Sequence, residues 1–202
     1  MPAAADEDRR QPPPADGLGY CWSSLPSTLP YRSALADLQE SGFADWCKSS
    51  GILQQGNAEG VLEAWYVPVA YAARMGSAVE RGPRYPFSDL PRKGSFNVLD
   101  RLFRRLFRHN VELAAVVIQY AEASAKRNFH FDSPQHAGCG VVNLTISGRA
   151  LVSLEGVVDA VQSAGDYYLL YGPGLTDFRH AAWSFNGRLS ITFRYVSPTD
   201  GG

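Results

Sequence analysis

From Val111 to Val196 the apolar residues recur with a period of two, in the short segments ELAAVVIQY, GVVNLTIS, ALVSLEG, DYYLLYG, HAAWSF and RLSITFRYV. Alternate side chains of a strand project to opposite faces, so this period suits half-buried strands and not a helix. Turn formers such as Gly148, Gly165, Gly172 and Pro173 separate the segments, which predicts five or six strands in succession. Two helical patterns precede them. In SALADLQESGFADWCK, Leu35, Leu38, Phe43 and Trp46 recur at roughly helical intervals behind Ser33 as a candidate cap, and Gly42 weakens the middle. In SFNVLDRLFRRLFRHN, behind Ser95, one side carries Leu99, Leu102, Phe103, Leu106 and Phe107, and another carries Arg101, Arg104, Arg105 and Arg108. The intervening GVLEAWYVPVAYAARMG favours strand, but Pro68 forbids a central ladder position, so an edge strand or hairpin is expected. Helices first and many short strands afterwards predict an α+β, mainly β fold: a double-stranded β-helix (jelly-roll) core with N-terminal buttressing helices. A plain β-sandwich without a site is the alternative.

With 202 residues, 45% of them hydrophobic, the chain suffices for one full core, and a single domain is expected over residues 19–202. Residues 1–18, rich in Ala, Pro and charge, have little to bury and are expected to form a disordered tail. A net charge of -1 argues against a surface that grips nucleic acid all over, and leaves room for a local basic patch. Cys21, Cys47 and Cys139 are odd in number and irregularly spaced, which suggests neither a disulfide framework nor a zinc ribbon. No apolar run approaches the roughly 20 residues of a membrane span, and no secretory signal opens the chain. A soluble, intracellular protein, cytoplasmic or nuclear and without a membrane partner, is the expectation. No Gly-rich phosphate loop is present between a strand and a helix.

The chemistry concentrates in NFHFDSPQ, where His130 and Asp132 stand two apart. On a strand they share a face and can offer one imidazole nitrogen and one carboxylate oxygen to a single cation. His180 is a third candidate if the chain doubles back through the intervening strands. Two histidines and a carboxylate leave three adjacent positions open on an octahedral iron(II), enough for a bidentate cosubstrate and dioxygen. Taken alone, a His-x-Asp pair more often caps a strand or meets solvent. In RLSITFR, Arg188, Ser190, Thr192 and Arg194 share one strand face, and Leu189, Ile191 and Phe193 share the other. Half-buried strands alternate in the same way with the polar side in water. An arginine just after the last ligand has a more specific use, because its fork suits the distal carboxylate of a dicarboxylate such as 2-oxoglutarate.

The ordered set His130-Phe-Asp132, His180 and Arg188-Leu-Ser-Ile-Thr-Phe-Arg194 resembles the AlkB family of iron(II)- and 2-oxoglutarate-dependent dioxygenases, loosely from Arg84 to Val196. The resemblance implies that His130, Asp132 and His180 ligate iron and form the catalytic centre. It further implies that Arg188 pairs with the distal carboxylate of 2-oxoglutarate, with Ser190 on the same face, and that Arg194 sits near the cosubstrate or braces Asp132. Tyr120 matches the tyrosine of the family's Asn-x-Tyr element, but Ile118 stands in the asparagine's place, so one cosubstrate hydrogen bond is absent or replaced. Only seven residues separate His180 from Arg188, fewer than in the family's prototype. The cofactors implied are Fe(II), 2-oxoglutarate and O2. The reaction implied is hydroxylation or oxidative demethylation of a modified nucleobase in DNA or RNA, releasing succinate and CO2.

The alternatives are oxidation of 5-methylpyrimidines, as by the TET and JBP enzymes, hydroxylation or demethylation of protein side chains, and a catalytically silent jelly-roll binding module. For nucleic acid as partner, the positive sequence signal is the arginine stripe, with Lys126, Arg127 and Arg149 as possible additions; a solvated helix face explains it almost as well. Phe129, Phe131, Trp65, Tyr71 and Tyr85 are candidate platforms for a flipped base, though core packing suits any one of them better. His136 reads as a loop histidine, His109 as a helix-end histidine and Cys139 as a small buried residue. No substrate residue or oligomeric state follows from the sequence.

Overall fold

A computed structural model describes residues 18–56, 58–68, 84–107, 110–132 and 139–198. Strand β1 (Tyr20–Ser24) is followed by helices α1 (Leu29–Gln39) and α2 (Ser41–Ser49), then β2 (Gln54–Gln55), β3 (Val61–Val67) and β4 (Arg84–Pro86). After a 3-10 turn at Phe87–Asp89 come α3 (Lys93–Arg104), β5 (Glu112–Ala121), β6 (Lys126–His130), β7 (Gly140–Leu154), β8 (Val158–Gln162) and β9 (Asp166–Tyr171). A helical turn at Pro173–Thr176 leads into β10 (His180–Val196).

Two long strands, β7 and β10, run side by side and carry the chain between two sheets. The first part of β7 pairs with β9 and the second with β8. Its neighbour β10 pairs first with β6 and then with β5. The larger layer therefore runs β1-β9-β7-β10-β5-β3-β2, with β4 beside β3, and the smaller one runs β8-β7-β10-β6. This mostly antiparallel arrangement is the jelly-roll core that the strand pattern predicts.

The bend between the layers falls at two glycines. Gly148 and Gly187 have φ of 77° and 81°, and the β7–β10 register shifts between Ser184 and Arg188. A Cβ on Gly148 would lie 1.8 Å from the carbonyl oxygen of Gly187, so the two backbones can meet only without a side chain there. Gly148 is thus a kink inside one strand and not a separator of two. GVVNLTIS and ALVSLEG join into β7, and HAAWSF and RLSITFRYV join into β10. A glycine in an alternating pattern marks a turn or a bulge equally well, and here the bulge wins.

Other elements differ from the sequence expectation for local reasons. The first helix begins at Leu29 behind Thr28, with Pro30 in its first turn, and not at Ser33; it breaks at Glu40, whose backbone is extended. Helix α3 begins at Lys93 behind the left-handed Arg92, so Ser95 lies inside it. Ser95 Oγ instead donates to Asp37 Oδ2 at 2.6 Å, while Arg92 pairs with Asp37 at 2.7 Å and Glu40 at 2.8 Å, tying α3 to α1. α3 stops at Arg104, whose guanidinium turns back to Asp100 and to the carbonyl of Val111. β3 is flanked on both sides, by β5 and by β2 and β4, and is not an edge; Pro68 stands just past its end. β1, β6 and β8 lie outside the predicted segments.

Phe96, Leu99 and Phe103 of α3 are buried in one cluster with Leu189, Ile191, Phe193 and Tyr195 of β10. The Phe103 and Phe193 rings meet edge to face at 5.1 Å. The helices therefore cover the outer face of the larger sheet. The alternate residues of β10, Arg188, Ser190, Thr192 and Arg194, are turned to the space between the sheets. Gly148→Ala is expected to lower the unfolding free energy by roughly 2–4 kcal/mol, combining left-handed strain with a backbone clash. Urea denaturation checks this, and a loss below about 0.5 kcal/mol would contradict the kink.

Candidate active site

The end of β6 and the start of β10 lie together, with His130 opposite His180 in the ladder. Their ring centroids are 4.2 Å apart, and each Nε2 reaches towards Asp132 Oδ1, at 3.9 Å from His130 and 3.8 Å from His180. The three ligand atoms lie within 4.8 Å of one another. Strand pairing thus closes the triangle that the sequence left open. His130 Nδ1 lies 2.8 Å from the carbonyl of Asn128; donating there leaves the Nε2 lone pair facing inward, and that nitrogen is buried with no hydrogen-bond partner. Two imidazole nitrogens and a carboxylate at this spacing fit one divalent cation of the iron(II) or manganese(II) kind.

The surroundings set the ionisation that a metal requires. Burial pushes the His180 imidazolium down to about 4, against the opposing field of Asp132. Burial and then the charge of Arg127 lower His130. At Asp132 burial opposes the charged form, but the fields of Arg194, His180, Arg127 and His130 outweigh it and hold the carboxyl well below its usual range. Both rings are therefore neutral and the carboxylate charged at pH 7. Arg194 Nη2 lies 3.3 Å from Asp132 Oδ1, and its guanidinium stacks over the Trp65 ring at 5.0 Å. It braces the carboxylate.

Across the cavity, Arg188 is 6% exposed, yet among the described residues no carboxylate pairs with it. Its acceptors are neutral: Nε donates to Thr145 Oγ1 at 3.0 Å, and Nη2 donates to Asn143 Oδ1 at 2.5 Å and Gln162 Oε1 at 2.8 Å. Burial lowers the guanidinium to about 10, still protonated at neutral pH. Nη1 makes no hydrogen bond among the described residues, and Arg188 lines the same cavity as His130, Asp132 and His180. A buried cation so placed suits an anionic ligand.

Ser190, like Arg188 and Arg194, faces this cavity. Tyr120 does not. The neighbours Gln119 and Ala121 line the cavity, and strand alternation turns Tyr120 to the opposite face, where Lys48 Nζ sits 4.7 Å from its ring centre. The Tyr120 expectation is off by one residue, and the polar side chain that β5 presents is Gln119. The sequence reading also missed Asn143, Thr145 and Gln162. The signal for the first two was the alternation in GVVNLTIS, where a polar residue recurs on one face of an apolar strand.

The arginine stripe stands elsewhere. Because α3 packs on the outer face of the larger sheet, Arg101 and Arg104 are separated from the cavity by that sheet, and Arg104 is held by Asp100 at 2.9 Å. Of the other basic residues, Arg127 lines the cavity, while Lys126 and Arg149 are exposed. Trp65 is buried beside Glu63, Tyr85 packs on Tyr66 at 5.4 Å, and Phe129 and Phe131 are exposed. Cys139 packs against the main core. Tyr71, Arg108, His109, Pro134 and His136, like the tail up to residue 17, lie outside the described residues. No helix among the described residues is long and apolar enough to cross a membrane.

No family model matches the chain. No curated protein matches it in sequence. Solved structures do match in fold. A prolyl hydroxylase from Trichoplax adhaerens, in complex with a hypoxia inducible factor peptide, superposes with a TM-score of 0.60 at 11% identity, over 91% of this chain and 86% of that one. The viral collagen prolyl hydroxylase of Paramecium Bursaria Chlorella virus-1, in complex with 2-oxoglutarate, gives 0.58 at 9% identity, over 89% and 96%. OsALKBH1 gives 0.50 at 13% identity, over 87% and 97%. The chain has the jelly-roll fold of the iron(II)- and 2-oxoglutarate-dependent oxygenases, and carries a His-Asp-His set in it.

Protons compete with metal for imidazole nitrogen, so a lowered imidazolium pKa keeps the ligand available at lower pH. Manganese(II) affinity, measured by calorimetry, is expected to change little from pH 8 to 6.5 and to fall as the pH descends towards the His180 value of about 4. Loss centred near pH 6.5, the ordinary histidine value, would contradict the environment described.

Proposed function

We propose that the chain is an iron(II)- and 2-oxoglutarate-dependent dioxygenase that hydroxylates a C–H bond of its substrate. The observation that carries this reading is the pairing of a metal-ready His-Asp-His set with a buried, uncompensated guanidinium in one cavity. His130, Asp132 and His180 would hold iron(II), which would supply the chemistry that couples dioxygen reduction to oxidation of 2-oxoglutarate to succinate and CO2 and of the substrate C–H to C–OH. Asp132 contributes a negative ligand, and Arg194 keeps it oriented. Arg188 receives the distal carboxylate of 2-oxoglutarate through Nη1, while Thr145, Asn143 and Gln162 hold the guanidinium still. Gln119, beside Ser190 in the ladder, is the polar side chain that β5 turns to the cavity. The burial of Asp132, His180, Arg188 and Arg194 strengthens each of these charge contacts.

For the substrate, a polypeptide side chain is the favoured class. Its support is the position of Arg101 and Arg104 behind the sheet, away from the cavity, and the likeness to two prolyl hydroxylases. A modified nucleobase is the second reading, supported by the Arg188 to Arg194 heptad and the likeness to OsALKBH1. Succinate release with iron and 2-oxoglutarate, measured over a peptide library and over methylated oligonucleotides, decides between them. Turnover with oligonucleotides alone would overturn the first reading. Arg188→Met is expected to raise the KM for 2-oxoglutarate by about 10–100-fold, the worth of a charge-assisted pair, with manganese affinity unchanged. An unaltered KM would remove Arg188 from its role.

A further inference from the structure

Along the cavity wall, one chain of hydrogen bonds crosses four neighbouring strands. Arg188 Nη2 donates to Asn143 Oδ1 at 2.5 Å, and Asn143 Nδ2 donates to Thr192 Oγ1 at 2.8 Å. Thr192 Oγ1 then donates to Gln119 Oε1 at 3.0 Å, and Gln119 Nε2 donates to Glu63 Oε1 at 3.0 Å. Every proton points the same way, from the guanidinium on β10 through β7 and β5 to a carboxylate on β3. Glu63 is 1% exposed, and Gly56 gives it room, since a Cβ there would lie 2.7 Å from its side chain. The same Oε1 also faces Arg127 Nη1 at 3.4 Å, and Trp65 Nε1 donates to Oε2 at 3.3 Å.

An amide can present either its oxygen or its NH2 in a given direction, and a hydroxyl can donate either way. The two ends of this chain remove that freedom. Arg188 can only donate, and Glu63 accepts at both of its oxygens, from Gln119, Arg127 and Trp65, so Asn143, Thr192 and Gln119 each have one orientation that satisfies both neighbours. With Glu63 gone, Gln119 is free to turn and Thr192 loses its fixed acceptor, so Asn143 is held in place from the Arg188 side alone. The shortest contact of Arg188 is then less rigidly backed, and the guanidinium can shift within the cavity.

We infer that Glu63 is a positioning residue for the diacid cosubstrate: from the far end of an amide and hydroxyl relay it fixes the orientation of Asn143 and thereby the aim of Arg188. This rests on the oxygenase reading, because it takes Arg188 as the carboxylate anchor. Glu63 itself touches neither the cosubstrate nor the metal ligands. The relay links residues in a series, so breaking any one link has the effect of breaking all.

The test uses full-length protein loaded with manganese(II), with calorimetry of 2-oxoglutarate uptake, manganese affinity, and NMR exchange rates of the Asn143 side-chain amide protons. Glu63→Leu removes the end of the relay, and the nearly isosteric Thr192→Val breaks its middle with Glu63 in place, so the second stands if the first fails to fold. Each is expected to weaken 2-oxoglutarate about tenfold and to speed Asn143 amide exchange, with manganese affinity within about twofold of wild type. The double variant is expected to be no weaker than either single one. Thr192→Val that binds the diacid like wild type, or losses that multiply in the double variant, would overturn the inference. Wild-type protein that takes up no diacid, with Asn143 still protected, would instead count against the oxygenase reading.

Discussion

A buried guanidinium that no carboxylate among the described residues meets is the constraint on which the rest of the structure turns. Placing such a charge in an apolar interior costs several kcal/mol even after relaxation, and neutral hydrogen-bond acceptors offset only part of it. The chain meets that cost with Thr145, Asn143 and Gln162, all buried polar residues that strands of this kind would otherwise omit. It also balances its other cavity arginines, Arg194 against Asp132 and Arg127 against Glu63. Arg188 alone among these three is left for a ligand. A dianion chelating a divalent ion at the His-Asp-His set would bring the missing charge to this cation.

The fold delivers these groups by strand geometry. His180 and Arg188 lie on one strand, β10, but on opposite sides of its bend at Gly187, so the metal ligands and the anion anchor approach one cavity from the two layers. The kinked neighbour β7 contributes Asn143 and Thr145 before its bend. Helix α3 seals the other face of the larger sheet with Phe96, Leu99 and Phe103, which holds the anchor strand rigid without entering the site.

Much of this was legible in the chain itself. Period-two alternation announced the strands, and the same alternation in RLSITFR separated the cavity face from the core face correctly, because a single continuous strand leaves no freedom of parity. His130 and Asp132 could be paired from spacing, whereas bringing His180 to them required knowledge of the long-range pairing of β6 with β10. The sequence did not disclose that Gly148 was a kink, since a glycine's backbone freedom serves a turn and a bulge alike. It also misled at Tyr120, where family likeness outweighed parity: in an otherwise apolar strand, the polar Gln119 was the better guide to the cavity face. Of the arginine stripe, among the described residues, only Arg101 and Arg104 lie on the helix, and the layer on which that helix packs is a tertiary fact.

Crystallography of the protein with manganese(II) and an inert 2-oxoglutarate analogue tests the central claim most directly. One ion is expected, bound by His130 Nε2, His180 Nε2 and an oxygen of Asp132, with the analogue chelating it and its far carboxylate on Arg188 Nη1. An ion held elsewhere, or a bound analogue whose far carboxylate leaves Arg188 without an anionic partner, would contradict it.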